Sequence, residues 1–330
     1  MAVVHPTVVH GRHSFLRSSI RHEMKMTPRS VCFALSLLAP FASARSQSAS
    51  TARPFDYAAS ACPACAEWNA PQKPFRIFGN TWYVGTHGLS AILIHSPQGS
   101  ILIDGGLPAS APAIIANIRA AGFIVEDVRL ILNSHAHYDH AGGLAELQRA
   151  SGAEVAATAW SAAAIRAGTG LRDDPQFGIL LPYEPVPRVR EFADGETLRV
   201  GSLAVTAHVT AGHTPGGTTW TWRSCEGDVC RDMVYADSQT PVSADGFFYT
   251  RSKEYPRGVA DFEHGAGVLE QLSCDILITP HPSASSFFER IDARTSGTGP
   301  GLVDTTACKR YASRAREALA KRLETERKAP

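Results

Sequence analysis

The order of apolar segments along the 330-residue chain predicts an α/β fold of two similar halves, sheet packed on sheet with helices outside. Three observations carry that expectation. Strand-like and helix-like runs alternate from Thr81 to Ala167, and a second set of strands and helices follows from Leu203 to Glu326. Hydrophobic residues make up 44% of the chain, which is ordinary for a globular protein with a full core. There is no internal period and no low-complexity tract that would point to a repeat array.

The chain opens on a segment that is not expected to join this fold. From Met24 it reads as a secretory signal. Lys25 and Arg29 form the basic start, Val31 to Ala39 the apolar run, and Ala42-Ser43-Ala44 a small-residue cleavage site. The run falls short of the roughly 20 apolar residues that span a bilayer. No cysteine sits just after it to carry a lipid anchor. Residues 1–44 are therefore expected to be an N-terminal extension and signal peptide, with Met24 or Met26 as the true start. Residues 45–330 are expected to form the exported, periplasmic domain with no membrane anchor.

Within that domain, residues 46–74 are rich in Ala, Ser and Pro and read as an irregular arm. Thr81 to Gly85, Leu89 to Ser96 and Ser100 to Asp104 are β-rich, with Ser96-Pro97-Gln98-Gly99 as a turn. Pro108 to Ala121 has helical spacing and ends at Gly122. Val128 to Leu132 is an apolar strand. Leu144 to Ala150 and Ser161 to Ala167 read as helices on either side of the strand Val155 to Thr158. Residues 168–187 carry Gly168, Gly170, Pro175, Pro182, Pro185 and Pro187, a loop long enough to expect a function or disorder. Leu203 to Thr210, Thr218 to Arg223 and Asp232 to Ala236 follow as strands. Gly258 to Gln271 is a helix, Ile276 to Thr279 a strand, and Thr305 to Glu326 a charged amphipathic helix.

A formal net charge of +1 with 19% charged residues leaves no basic stripe for nucleic acid and no acidic tail. Of seven cysteines, Cys32 lies in the signal, and an even remainder in an exported chain favours disulfides. Cys225 and Cys230 flank a turn between strand-like runs and suit a hairpin bridge. Cys274 and Cys308 would then tie the last helix to the last strand. Cys62-Pro63-Ala64-Cys65 is open to a redox or zinc half-site, but without a second CxxC a local disulfide is favoured.

The chemistry concentrates in His135-Ala136-His137-Tyr138-Asp139-His140, directly after the strand Val128 to Leu132. Imidazole and carboxylate are the ligands zinc accepts. In an extended or turning segment His135 and His137 point to one side, and the turn brings Asp139 and His140 to a neighbouring position. Gly142-Gly143 lets the backbone bend close to them. As mere loop residues, so many ionisable groups behind an apolar strand would be costly to bury unless paired or metallated. His213, in Gly212-His213-Thr214-Pro215-Gly216, and His281, in Thr279-Pro280-His281-Pro282, also follow strands and join the candidates. His87, His95, His208 and His264 lack that setting; His208 reads as structural and His87 as a rim residue.

These three motifs resemble those of the metallo-β-lactamase superfamily, and more closely those of its subclass B3. Gly79 to Thr86, Ile101 to Gly106, Thr219 to Trp222, Tyr235 to Ser238 and Pro280 to Ser285 add to the resemblance, which covers about Trp68 to the C-terminal helix. It implies an αββα sandwich of two mixed sheets with helices on the outer faces, and a site at one edge between the sheets. It implies two zinc ions, the first held by His135, His137 and His213 and the second by Asp139, His140 and His281. Ser238 stands where another subclass has a cysteine ligand. Ser238 and Thr240 match positions that meet the substrate carboxylate, with loop capping as the plain alternative. Gln176 and Phe177 resemble a pocket-lining segment, or else anchor their own loop. Asp104 is a candidate to support a zinc ligand, or caps its turn.

The implied activity is hydrolysis of the β-lactam amide by a zinc-bound hydroxide, with Asp139 assisting proton transfer, by a monomer whose partner is a small β-lactam. A glyoxalase II-like thioesterase or a lactonase remains possible on the same fold. Those relatives use an acidic residue near Tyr235 to Thr240 to bridge the metals, a place Asp237 could be mistaken for. A non-catalytic zinc-storage protein is the alternative from another class, set against by histidines spread over three strand ends.

Overall fold

A computed structural model describes residues 61–296 and 301–329, so the expected signal segment lies outside the described residues. The described chain opens on a single helical turn, α1 (Cys65–Trp68), where an irregular arm was expected. Seven strands then stand side by side in chain order: β1 (Phe75–Phe78), β2 (Thr81–Tyr83), β3 (Ile92–Ser96), β4 (Gly99–Ile103), β5 (Val128–Leu132), β6 (Glu154–Thr158) and β7 (Val189–Phe192). β1 to β4 form an antiparallel meander, and β4 to β7 run parallel. Parallel neighbours need crossovers. These are α2 (Ala111–Ala120), then α3 (Tyr138–Ala141) with α4 (Leu144–Ser151), then α5 (Ala159–Ala167).

The second sheet has five strands: β8 (Thr197–Val200), β9 (Leu203–Val209), β10 (Thr218–Glu226), β11 (Val229–Tyr235) and β12 (Ile276–Ile278). Its pairs are antiparallel except β11 with β12, which α6 (Gly258–Gln271) separates in the chain. Both sheets are thus mixed. α7 (Phe287–Ser296) and α8 (Ala307–Lys328) complete the chain.

Period-two alternation sorts the apolar residues into layers. Ile92, Ile94, Ile101 and Ile103 face Val205, Trp220, Met233 and Tyr235 across the gap between the sheets. Leu93, Leu102, Ile131 and Val155 point the other way and pack with Ile114, Leu144, Leu147 and Ile165 from the helices. On the far side, Val234, Ala236 and Leu277 meet Leu269, Tyr311 and Ala312. Strands covered on both faces have no polar face to show, which is why β3 and β4 read as nearly continuous apolar runs.

Where expectation and structure differ, the reason is local. β1, β7 and β8 are four residues each and carry charge on exposed positions, so they give no apolar run to read. Arg129 interrupts β5 and is exposed, so that strand is not wholly apolar. α7 follows Ser286, whose φ of 49° turns the chain sharply, and its sequence alternates apolar with charged residues. Residues 168–188 hold no helix or strand, yet they are tied down: Tyr183 donates to the Ala136 carbonyl at 2.8 Å, and Trp160 to Asp173 at 2.8 Å. Three disulfides form, Cys62–Cys65, Cys225–Cys230 and Cys274–Cys308, each as expected. Among the described residues no helix is long and apolar enough to cross a membrane.

Candidate metal centre

Every strand that delivers a candidate ligand ends at the same edge of the sandwich. β5 runs into Asn133, Ser134 and the histidine segment, β9 into the turn that carries His213, β11 into Asp237, and β12 into His281. The histidine segment is extended as far as His137 and then turns into α3, so His135 and His137 share one side while Asp139 and His140 sit on the first helical turn. A glycine pair makes that turn possible. A Cβ on Gly143 would lie 2.3 Å from the Gly105 carbonyl oxygen, so only glycine lets α3 and α4 approach the end of β4.

The rings converge. Ligand atoms of His135, His137 and His213 lie within 4.8 Å of one another, as do those of His135, Asp139 and His140. His281 joins the second group through Nε2, 3.2 Å from Asp139 Oδ2 and 3.3 Å from His140 Nε2. All six residues expected to hold metal therefore meet at one place. All but His281 are buried.

Oxygen acceptors behind the rings decide which nitrogen faces inward. His135 Nδ1–H donates to Asp237 Oδ1 at 2.7 Å, which leaves Nε2 for the cavity. His213 Nδ1–H donates to the Thr240 carbonyl at 2.8 Å, with the same result. His137 is reversed: Nε2–H donates to Asp174 at 3.0 Å, and Nδ1 is left free. Asp104 lies 3.9 Å from His140 Nδ1 and accepts from Ser134 N, Ser134 Oγ, Asn133 Nδ2 and the Tyr235 hydroxyl. It therefore both faces a ligand and fixes the end of β5, beyond the turn-capping alternative.

Burial governs the charges. Desolvation and the neighbouring imidazoles hold His135 well below the usual histidine range, and the same causes bring His213 down to about 3. Both rings are therefore neutral at neutral pH, the form a metal would need. Burial opposes ionisation of Asp139, but His140 and His281 overcome it and keep the carboxyl well below its ordinary value. His140 is likewise raised by Asp139 and Asp104 against its burial. Burial pushes Asp104 and Asp237 up.

This donor set fits a metal. Asp139 Oδ2 lies 3.3 Å from His140 Nε2 and 3.2 Å from His281 Nε2, and the two Nε2 atoms lie 3.3 Å apart, so three donor atoms crowd together facing one another. Buried carboxylates gathered around neutral imidazoles are costly without a compensating positive charge. A divalent cation supplies it, and imidazole nitrogens with a carboxylate oxygen suit a borderline metal such as zinc.

The remaining expected residues surround this cluster. Ser238 is buried three residues beyond the end of β11, two residues before exposed Thr240. Gln176 Nε2 reaches within 3.5 Å of His213 Nε2. Phe177 is 48% exposed, with Ile179 beside it at 56%, so their loop presents an apolar lip rather than packing inward. Asp237 stands behind His135 and not between the two ligand groups. Asp174 is the residue the sequence reading missed. Its loop gave a signal only through length, and nothing in Asp173-Asp174-Pro175 tells which carboxylate turns inward.

Comparison with known proteins agrees with this geometry. Residues 84–284 match the family model of the metallo-beta-lactamase superfamily. The Rm3 metallo-beta-lactamase structure is 54% identical, with a TM-score of 0.79 over 81% of this chain and 99% of that one. MEM-A1, a subclass B3 metallo-beta-lactamase isolated from a soil metagenome library, is 49% identical, with a TM-score of 0.78 over 80% of this chain and 100% of that one. SMB-1, a metallo-beta-lactamase solved with 2-mercaptoethanesulfonate, is 45% identical, with a TM-score of 0.75 over 78% and 99%. A hydroxyacylglutathione hydrolase of Jannaschia sp. (strain CCS1) is 30% identical over 126 residues, 38% of this chain; the match spans 40% of that relative's length.

Proposed function

The chain belongs to the metallo-β-lactamase superfamily, and from that membership we propose that it hydrolyses the amide bond of β-lactams with two zinc ions. The observation that carries the proposal is the pair of adjoining ligand groups at one sheet edge, one of imidazoles and one built on Asp139. His135, His137 and His213 would hold the first ion, and Asp139, His140 and His281 the second. Bound zinc supplies Lewis acidity and a water of lowered pKa near neutrality. The chain's own groups do the rest. Asp139 is ionised, so its carboxylate would accept the proton that the attacking water gives up and deliver it to the nitrogen released as the ring opens. The Ser238 hydroxyl and Thr240 bind the substrate carboxylate. Gln176 and Phe177 wall the opposite flank. Subclass B3 fits best because Ser238 stands at the turn after β11, where a cysteine ligand would be needed otherwise.

Purified protein should hydrolyse at least one of a penicillin, a cephalosporin and a carbapenem. Chelation should abolish turnover, and Asp139→Ala should lower kcat by roughly 10²–10⁴, the usual span for a positioned proton carrier. Turnover of a glutathione thioester or a homoserine lactone with no β-lactam cleavage would overturn the reading. We also propose that the protein is exported and acts as a monomer. N-terminal sequencing of the periplasmic form should begin near Arg45, and sedimentation should give one chain.

A further inference from the structure

We propose that Trp68 is a positioning residue for His281, and that the Cys62–Cys65 bridge seats its indole there. The proposal rests on the two-ion reading of the centre.

His281 differs from its fellow ligands. The far nitrogens of His135, His137 and His213 are each tied to an oxygen. Among the described residues no such acceptor stands behind His281. Its side chain is also the least buried of the group, 27% exposed against 1% for His140. The terminal torsion of a histidine is broad, so an untied ring turns freely about it. Something else must set its plane.

Two rings touch it. His140 meets it at 4.9 Å between centroids, and Trp68 at 5.1 Å with an interplanar angle of 54°. The His140 ring shares the cavity, so among the described residues the indole is the ring that backs His281 from outside. An indole wall limits rotation by contact, as hydrogen bonds limit the other rings.

Trp68 is itself held with unusual care for an N-terminal arm. The Cys62–Cys65 bridge closes the turn that begins α1, and Trp68 N donates to the Ala64 carbonyl at 2.8 Å. The Trp68 carbonyl accepts from Thr86 Oγ1 at 2.7 Å and from Gly88 N at 3.2 Å. Asn69 Oδ1 accepts from Ser110 Oγ at 2.7 Å. At Gly88 a Cβ would fall 2.5 Å from the Trp68 Cα, so the arm lies directly on the backbone between β2 and β3. Cys62 is buried, with Sγ 3.8 Å from the hydroxyl of Tyr138, the residue between His137 and Asp139. The Tyr138 ring in turn lies 6.4 Å from the indole. One stapled turn thus touches the metal segment at Tyr138 and the far ligand at His281. The CxxC, expected as a local disulfide, forms one and acts here as a clasp.

The test is metal titration, not turnover. Metal-free wild-type protein, Trp68→Ala and Trp68→Phe are titrated with cobalt(II), following the ligand-field absorption and competition with a chromophoric chelator. The first ion should bind alike in all three. The second should bind about tenfold more weakly in Trp68→Ala, in line with the ~10–100-fold effects of residues that orient ligands, and Trp68→Phe should recover most of that loss. A Cys62→Ser/Cys65→Ser double variant keeps the indole but frees its turn. It should weaken the second ion in the same sense and carries the test if Trp68→Ala does not fold. Equal affinity for both ions across all variants would overturn the proposal. A wild-type protein that takes only one ion would instead overturn the two-ion reading, and this proposal with it.

Discussion

Asp174 shows how a single carboxylate joins a loop to a ligand. It accepts from His137 Nε2 at 3.0 Å and from the backbone N–H of Gln176 at 2.8 Å, so one side chain orients a ring and the segment beside the pocket. Asp174→Ala should weaken the first metal ion by roughly 10–100-fold, read by chelator competition, and Asp174→Asn by less, because its amide oxygen still accepts. His213 gives a second prediction. Its folded pKa of about 3 lies below the ordinary 6.5, so the unfolded chain binds the extra proton in that interval. In metal-free protein, the stability of wild type relative to His213→Asn should be flat above pH ~6.5 and fall as pH drops towards 3. A relative stability that rises in acid would contradict the burial argument; thermal midpoints across the range decide it. The six residues that gather at the sheet edge stood out in the sequence because metal binding would demand particular residue types after strands. Asp174 and the role of Asp237 did not. A carboxylate that acts through another residue is defined by a contact across the fold, 37 positions away for Asp174 and 102 for Asp237.

At the level of elements, apolar segments were read correctly, down to the three-residue edge strand β12, and the short edge strands that carry charge were not. The helix Gly258–Gln271 was bounded to the residue, because its apolar stripe faces a buried sheet. β7 and β8 were invisible because pairing, not composition, makes them strands. The loop 168–188 and the segment 241–257 meet through Ala244 N and the Pro175 carbonyl at 2.9 Å, so the two share an edge. α8 secures that edge from below. Buried Glu326 accepts from Tyr249 N at 2.9 Å, Thr250 N at 2.9 Å and Thr250 Oγ1 at 2.8 Å, and pairs with Arg322. Glu326→Ala strands those donors and should cost about 2–4 kcal/mol. Denaturant unfolding measures the loss. A change within about 0.5 kcal/mol, the scale of ordinary surface substitutions, would show that the clamp does not matter.

For the whole molecule, the sandwich with helices outside was legible from the order of segments, whereas the split into seven and five strands was not. That split depends on which sheet β8 joins, and its pairing with β9 settles it. The candidate ligands come from both sheets, so on the proposed reading an ion held between them would bind the native state and have no equivalent partner in the unfolded chain. Chelation should therefore lower the thermal midpoint. At free zinc ~100-fold above the dissociation constant each ion contributes about 2.7 kcal/mol. An unchanged midpoint on metal removal would place the ligands on a scaffold already rigid without the ion. The same arrangement gives the metal a temporal meaning. His135 to His140 are neighbours in the chain, but His213 and His281 reach them only after the second sheet has docked. On the two-ion reading, metal capture at full affinity would wait until both sheets are in place, and the release of a fluorescent chelator would time it.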